Sequence, residues 1–126
     1  MFSRREVLAS LAAAPTIALT EAQAQNPFYA GKTLNIIVGS STGGYYDTAG
    51  RTIARHLARF IPGRPNIVVQ NQPGAGGLAI ANKLAHTLDR DGLSIVVMSR
   101  ALPQLAFLND PNANFDPLKL TWLGSL

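Results

Sequence analysis

A loop rich in glycine and hydroxyl side chains, residues 39–47, is the stretch of this sequence best suited to chemistry. It reads Gly-Ser-Ser-Thr-Gly-Gly-Tyr-Tyr-Asp and lies between an apolar run, residues 34–38, and a segment with helical periodicity. Gly43 and Gly44 allow positive φ angles and a close approach of the backbone to a ligand. The first N–H groups of the following helix lack intrahelical partners and carry the positive end of the helix dipole. The loop therefore predicts a site for a carboxylate or a similar anion.

A second Gly-rich loop repeats this arrangement. Residues 71–77 read Asn-Gln-Pro-Gly-Ala-Gly-Gly, after a predicted strand at residues 66–70 and before a predicted helix at residues 78–88. Free backbone donors and a helix N-terminus again meet just past a strand. Taken alone, this loop fits an anion site and an ordinary tight strand–helix connection equally well.

The elements that would position these loops alternate between strand and helix. Apolar and β-branched residues predict buried strands at residues 33–38 and 93–98, in addition to the strand at 66–70. Apolar spacing of i, i+4, i+8 and i+11 predicts a helix over residues 47–60, with Asp47 in its first turn or at its N-cap. A short helix at 101–108 and the start of another strand at 120–124 follow. The β-α-β-α-β order predicts an α/β fold with a parallel sheet and right-handed crossovers.

The ligands of such a sheet bind beyond the carboxyl ends of its strands, near a switch point in strand order. Both Gly-rich loops, and the Ser-Arg pair that follows the third strand, are predicted to lie at that edge. The predicted ligand-binding residues are Ser40, Ser41, Thr42, Gly43, Gly44, Tyr45, Tyr46, Asp47, Pro73, Gly74, Ala75, Gly76, Gly77, Ser99 and Arg100.

An enzyme would use the same loops differently. Residues 39–43, Gly-Ser-Ser-Thr-Gly, have the spacing of a Gly-x-Ser-x-Gly nucleophile elbow, but the hydroxyl residues at 40–42 have no nearby His in sequence. Gly31-Lys32-Thr33 precedes a strand, whereas the Gly-Lys-Thr of a P-loop opens a helix. No metal-ligand cluster stands out, and neither a metal nor a cofactor is expected. A small α/β enzyme acting on an anionic substrate is kept as the alternative to a binding protein.

Composition narrows the class of protein further. The chain has 126 residues, 47% of them hydrophobic, and a net charge of +4, which is typical of one small globular domain. Its Lys and Arg residues are spread out, so no nucleic-acid partner is expected. Arg51, Arg55 and Arg59 share one helix face, which suits a solvated surface better than an anion-binding ridge; Arg51 can pair with Asp47. The absence of cysteine excludes thiol catalysis and disulfides.

The first 24 residues are typical of an export signal. Two arginines at positions 4–5 precede an apolar run at 7–19, which is shorter than the roughly 20 residues of a membrane span. Residues 22–24, Ala-Gln-Ala, fit a cleavage site. The paired arginines resemble a twin-arginine signal, with the Sec route left open. We expect a periplasmic protein with a signal peptide at residues 1–24 and a mature domain at residues 25–126.

The mature segment resembles the tripartite tricarboxylate transporter receptor family, the Bug-type periplasmic solute-binding proteins. The most specific similarity is at residues 68–77, Val-Val-Gln-Asn-Gln-Pro-Gly-Ala-Gly-Gly, which is close to the family's Val-x-Asn-x-Pro-Gly-Ala-Gly-Gly segment. Asp91-Gly92, Phe115-Asp116-Pro117 and Trp122-Leu123-Gly124 also fit the family. The likeness runs from Phe28 to the C-terminus.

This resemblance implies the first lobe of a type II periplasmic-binding-protein-like (Venus-flytrap) fold. Such receptors capture a small carboxylate without catalysis and present it to membrane transporter subunits of a tripartite tricarboxylate system. Recognition at the first two strand–helix loops maps here onto residues 40–47 and 73–77. Because family members are longer, the chain is expected to be a truncated lobe, either a receptor fragment or a non-functional product. Tyr45 and Tyr46 depart from the family's first loop and are expected to narrow the pocket or stack on a ligand.

Overall fold

A computed structural model describes residues 27–125 of the chain. Within these residues the strands are β1 (Thr33–Val38), β2 (Asn66–Asn71) and β3 (Ser94–Val97), and the α-helices are α1 (Tyr45–Leu57), α2 (Leu78–His86) and α3 (Leu102–Phe107). Short 3₁₀ turns occupy Ala58–Phe60, Ala75–Gly77 and Pro117–Lys119. The predicted α/β alternation is confirmed. The predicted export signal lies outside the described residues.

The three strands form one parallel sheet in the order β2-β1-β3. Thr33 lies opposite Asn66 on one side of β1, and Ile36 lies opposite Ile95 on the other. The chain leaves the central strand in one direction and then crosses back over it to reach β3. Such a reversal of strand order creates a switch point at the carboxyl end of β1.

The central strand β1 is the most buried part of the fold. Leu34, Ile36 and Val38 are at most 1% exposed. Helix α1 packs closely against this face because Gly50 has no side chain, and a Cβ there would come within 3.0 Å of Val38 Cγ2. Helix α1 begins two residues before the predicted start and ends at Leu57. Residue Phe60, predicted on its apolar face, is 71% exposed in the following 3₁₀ turn.

A second apolar cluster joins α2 to the end of the chain. Leu78 and Ala81 of α2 pack with Leu102 of α3 and with Phe115, and all four side chains are buried. This cluster fixes the N-terminal turn of α2 beside the end of β3, where Met98 is packed against it. The core therefore anchors two of the three strand–helix connections.

The prediction of a strand at residues 120–124 is wrong. These residues form no regular element, and they follow the 3₁₀ turn at Pro117–Lys119. The Trp122 Nε1 group donates a hydrogen bond to Pro117 O at 2.8 Å, which folds the segment back on itself. Leu123 is 75% exposed. The apolar residues suit a strand, but within residues 27–125 no strand edge pairs with them.

Among residues 27–125, none of the helices combines the length and the apolar character that crossing a membrane requires.

Candidate functional site

The carboxyl ends of the three strands meet at a cleft of about 360 Å³. Each strand supplies part of the cleft wall through the strand–helix connection that follows it. These are the first connection after β1, the second after β2 and the third after β3. The lining residues are Gly39, Ser40, Ser41 and Tyr46 after β1, Pro73, Gly74, Gly76 and Gly77 after β2, and Val97, Met98 and Ser99 at the end of β3. The structure thus brings together the three connections that strand order predicted to share one edge.

The remaining predicted residues lie around this cleft rather than in its lining. Thr42, Gly43, Gly44 and Tyr45 are exposed on the outer part of the first connection. Ala75 and Arg100 are also exposed, and Asp47 is buried behind the loop. Two lining residues, Val97 and Met98, were not predicted, and Gly39 was placed in the first loop but not among the ligand-binding residues. All three could have been predicted from their position at the carboxyl ends of the strands.

The second connection has an unusual backbone. Ala75, Gly76 and Gly77 have successive φ angles of 47°, 66° and 95°, all in the left-handed region. A Cβ on Gly76 would meet nothing within 4 Å, so the conformation rather than the space favours glycine there. Gly77 is needed for close approach as well, because its Cβ would lie 3.2 Å from the carbonyl oxygen of Gly39. The first and second connections therefore touch through their backbones.

Asp47 holds the first connection in place. Its Oδ2 atom accepts a hydrogen bond from the Gly43 N–H at 2.8 Å. Its Oδ1 atom accepts from Arg51 Nε and from Asn71 Nδ2, both at 2.9 Å. The Arg51 guanidinium, then the Gly43 N–H and the Asn71 amide, lower the pKa of Asp47 to about 2. The carboxylate is 2% exposed and is fully engaged by the protein.

Asn71 carries this network from β2 to the first connection. Its Nδ2 group also donates to the carbonyl oxygen of Ser40 at 3.1 Å, and its Oδ1 atom accepts from Arg51 Nη2 at 2.9 Å. The Asp47–Arg51 ion pair expected from sequence is present. Arg55, one helical turn further along, is exposed to solvent. The last residue of β2 is thus a tertiary partner that the sequence did not reveal.

Tyr46 joins the first connection to the third. Its hydroxyl donates to Ser99 Oγ and accepts from the Arg100 N–H, both at 3.4 Å. These bonds, with Ser99 the larger cause, lower the pKa of Tyr46. Tyr45 contacts the Tyr46 ring edge-on at 5.3 Å between centroids, yet it is 65% exposed. Of the two tyrosines, Tyr46 therefore shapes the cleft.

Comparison with known proteins identifies two distant relatives. The UPF0065 protein in gbd 5'region of Cupriavidus necator is 29% identical over 118 residues, which are 94% of this chain and 35% of that protein. The UPF0065 protein in tcbD-tcbE intergenic region of Pseudomonas sp. (strain P51) is 33% identical over 99 residues, 79% of this chain and 28% of that protein. Both relatives are UPF0065 proteins. The chain spans about a third of their length. No family model matches the chain.

The electrostatic character of the cleft comes from its backbone. None of its lining residues is charged. Helix α1 begins after Gly44 and helix α2 after Gly77, and within the described residues neither helix has a side-chain hydrogen bond capping its N-terminus. The first N–H groups of a helix seek acceptors and favour negative charge. In the described part of the chain no group of three or more His, Cys, Asp or Glu side chains is placed to hold a metal ion.

Proposed function

We propose that this chain is part of a solute-binding receptor and that its cleft binds a small carboxylate. The observation that carries the proposal is the convergence of three strand–helix connections on one cleft, with two helix N-termini at its rim. A carboxylate there accepts hydrogen bonds from backbone N–H groups and from hydroxyl side chains. Its charge needs no cationic side chain, because oriented N–H dipoles supply the positive potential.

The comparisons support this proposal. UPF0065 is the Bug-type receptor family, which is the family that the Gly-rich segment at residues 68–77 resembles. By extension, the chain forms part of the first lobe of a two-lobed receptor that delivers its ligand to membrane subunits of a tripartite tricarboxylate transporter. The export signal expected at residues 1–24 supports a periplasmic location for such a receptor.

Binding rather than catalysis agrees with the groups around the cleft. The lining contains no carboxylate, imidazole or amine side chain that could act as a general base. Asp47, the carboxylate that anchors the first connection, uses both oxygens within the protein. The Gly-x-Ser-x-Gly spacing at residues 39–43 places Ser41 in the lining, but no His side chain lines the cleft beside it.

A thermal-shift titration of the 126-residue chain tests the proposal. Succinate, citrate, glutamate and benzoate are compared with succinamide, which has the carbon skeleton of succinate but no charge. A ligand that binds only the folded state stabilises it in proportion to the logarithm of its concentration. We expect the melting temperature to rise with at least one acid and not with succinamide. An unchanged melting temperature with every acid, or an equal rise with succinamide, contradicts carboxylate binding.

A matched pair of glycine variants locates the binding. Gly76 in the cleft and Gly92 before β3 have φ angles of 66° and 76°, and a Cβ added at either would have no neighbouring atom closer than 3.8 Å. We expect Gly76→Ala and Gly92→Ala to lower stability by similar amounts, about 1 kcal/mol each, because both strain the backbone. Only Gly76→Ala should weaken the stabilisation by carboxylate, several-fold, since Gly76 lines the cleft and Gly92 does not. Equal weakening by both variants contradicts this location.

A further inference from the structure

The hydroxyl group of Ser40 is the unexplained polar group of the cleft. Ser40 lines the cleft, and its Oγ atom is buried and has no hydrogen-bond partner within residues 27–125. Buried polar atoms of proteins nearly always have a partner, so an unsatisfied one calls for a reason. A hydroxyl can both donate one hydrogen bond and accept two. Within the described residues, the Ser40 hydroxyl therefore makes none of the hydrogen bonds that it could form.

The backbone that carries this hydroxyl is firmly held. The carbonyl oxygen of Ser40 accepts from Asn71 Nδ2 at 3.1 Å, and the preceding Gly39 N–H donates to Val97 O at 2.9 Å. The Cα atom of Ser40 is thus fixed between β2 and β3. Its Oγ atom, by contrast, can turn about the Cα–Cβ bond toward the cleft without breaking a hydrogen bond within the described protein.

The other hydroxyl groups of the cleft wall are already engaged or open to solvent. The Tyr46 hydroxyl is bonded to Ser99 Oγ and to the Arg100 N–H. Ser99 Oγ also accepts from the Ala101 N–H at 3.3 Å. Ser41, although it lines the cleft, is exposed, so its hydroxyl is open to solvent. Ser40 therefore differs from the other hydroxyl groups of the wall, because its Oγ atom is buried without a partner in the described residues.

We propose that Ser40 selects, among small carboxylates, those that carry a hydroxyl group next to the carboxylate. This proposal rests on the carboxylate-binding function proposed above. Backbone N–H groups only donate, so they satisfy a carboxylate but cannot accept from a ligand hydroxyl. The nearby carbonyl oxygens of Ser40 and Val97 already accept bonds from the protein. Ser40 Oγ supplies the acceptor, and its own proton can bond to the carboxylate.

The proposed selectivity of Ser40 can be measured with pairs of ligands that differ by one oxygen atom. A ligand hydroxyl that finds a partner gains a hydrogen bond, whereas an analogue without it leaves the Ser40 Oγ atom without a donor to accept from. A single neutral hydrogen bond corresponds to a difference in affinity of about three- to tenfold. We expect malate to bind about three- to tenfold more tightly than succinate, and lactate more tightly than propionate by a similar factor.

Calorimetric and thermal-shift titrations of the 126-residue chain with these two pairs test the proposal, with both enantiomers of each hydroxy acid. Ser40→Ala should bring the affinity ratio of malate to succinate close to one, because it should lower the affinity for malate more than the affinity for succinate. The control is Thr52→Ala, which removes an exposed hydroxyl bonded to Thr48 O within α1 and should preserve the ratio.

The outcomes separate the two proposals. Equal binding of malate and succinate to the unaltered chain, or a ratio that Ser40→Ala does not change, overturns the role of Ser40 and leaves carboxylate binding intact. No binding of any of these four acids also overturns the role of Ser40, whereas carboxylate binding itself is contradicted only if succinate, citrate, glutamate and benzoate all leave the melting temperature unchanged.

Discussion

At the scale of single residues, the first connection depends on one carboxylate. Asp47 accepts three hydrogen bonds, from Gly43, Arg51 and Asn71. Helical spacing predicts the pair with Arg51, because residues four apart are neighbours on a helix. The bond to Asn71 was not predictable, since the two residues are 24 positions apart and meet only once the chain has folded. The sequence indicated that Asp47 belongs to a helix start, but only the tertiary structure shows that it supports the loop.

The pH dependence of stability tests this role. The pKa of Asp47 is lowered from 3.8 to about 2 in the folded protein. A lowered folded-state pKa adds stability above the unfolded-state value, and this contribution is lost as the pH falls from about 4 toward 2. Asp47→Asn should therefore lower the urea midpoint of unfolding at about pH 6, because one amide oxygen cannot serve three donors. The deficit should shrink steadily between about pH 4 and pH 2.

The comparison for this variant is Asp89→Asn, which neutralises an exposed carboxylate after α2. Its effect on the urea midpoint should be small at every pH, as is usual for exposed charges. A deficit of Asp47→Asn that is equally large at about pH 6 and pH 2 would show that the charge of Asp47 does not support the fold.

At the scale of elements, the cleft depends on how closely the first two connections approach each other. Gly39 leaves β1 beside α2, where a Cβ would lie only 2.7 Å from Ile80 Cγ2 and 3.4 Å from Gly77 Cα. No side chain fits between these elements without moving one of them. The short distance between β1 and the N-terminus of α2 brings the two Gly-rich backbones to one site.

Gly39→Ala should separate the two connections. We expect it to lower the free energy of unfolding by about 1–3 kcal/mol, the usual cost of overpacking. It should also weaken the stabilisation by carboxylate, because the cleft walls shift. Gly124→Ala is the control, since a Cβ at Gly124 would meet nothing within 4 Å. Denaturant titrations with and without succinate measure both effects. A Gly39→Ala protein as stable as the control would contradict the tight packing described here.

The order of elements was predictable from sequence, while several of their ends were not. The β-branched run at residues 33–38 predicted β1 at its observed bounds. The alternation of such runs with segments of helical spacing predicted the parallel sheet. Phe60 follows the helical spacing but lies in a 3₁₀ turn, because apolar spacing alone does not say where a helix stops. Residues 120–124 have strand-like composition without a partner strand, and a strand requires one.

At the scale of the whole molecule, the sheet is built around β1, and its outer strands are each paired on one side within residues 27–125. Strands with an unpaired edge offer backbone groups to other chains. Large apolar side chains are exposed near the end of the described chain as well, among them Leu118 at 81%, Leu108 at 78% and Leu123 at 75%. These leucines lie outside the buried cluster, whereas Phe115 from the same part of the chain is buried within it.

These exposed apolar groups predict association of the isolated chain as its concentration rises. Sedimentation velocity over a roughly hundredfold range of concentration should show an increasing mean mass. Leu118→Lys should reduce the increase, because a charge at this exposed position opposes contact between apolar surfaces. Thr52→Lys adds the same charge on α1, far along the chain from this region, and should leave association nearly unchanged. If the two variants suppress association equally, the suppression is due to net charge alone. A constant mass at all concentrations would show that the exposed leucines do not mediate contacts between chains.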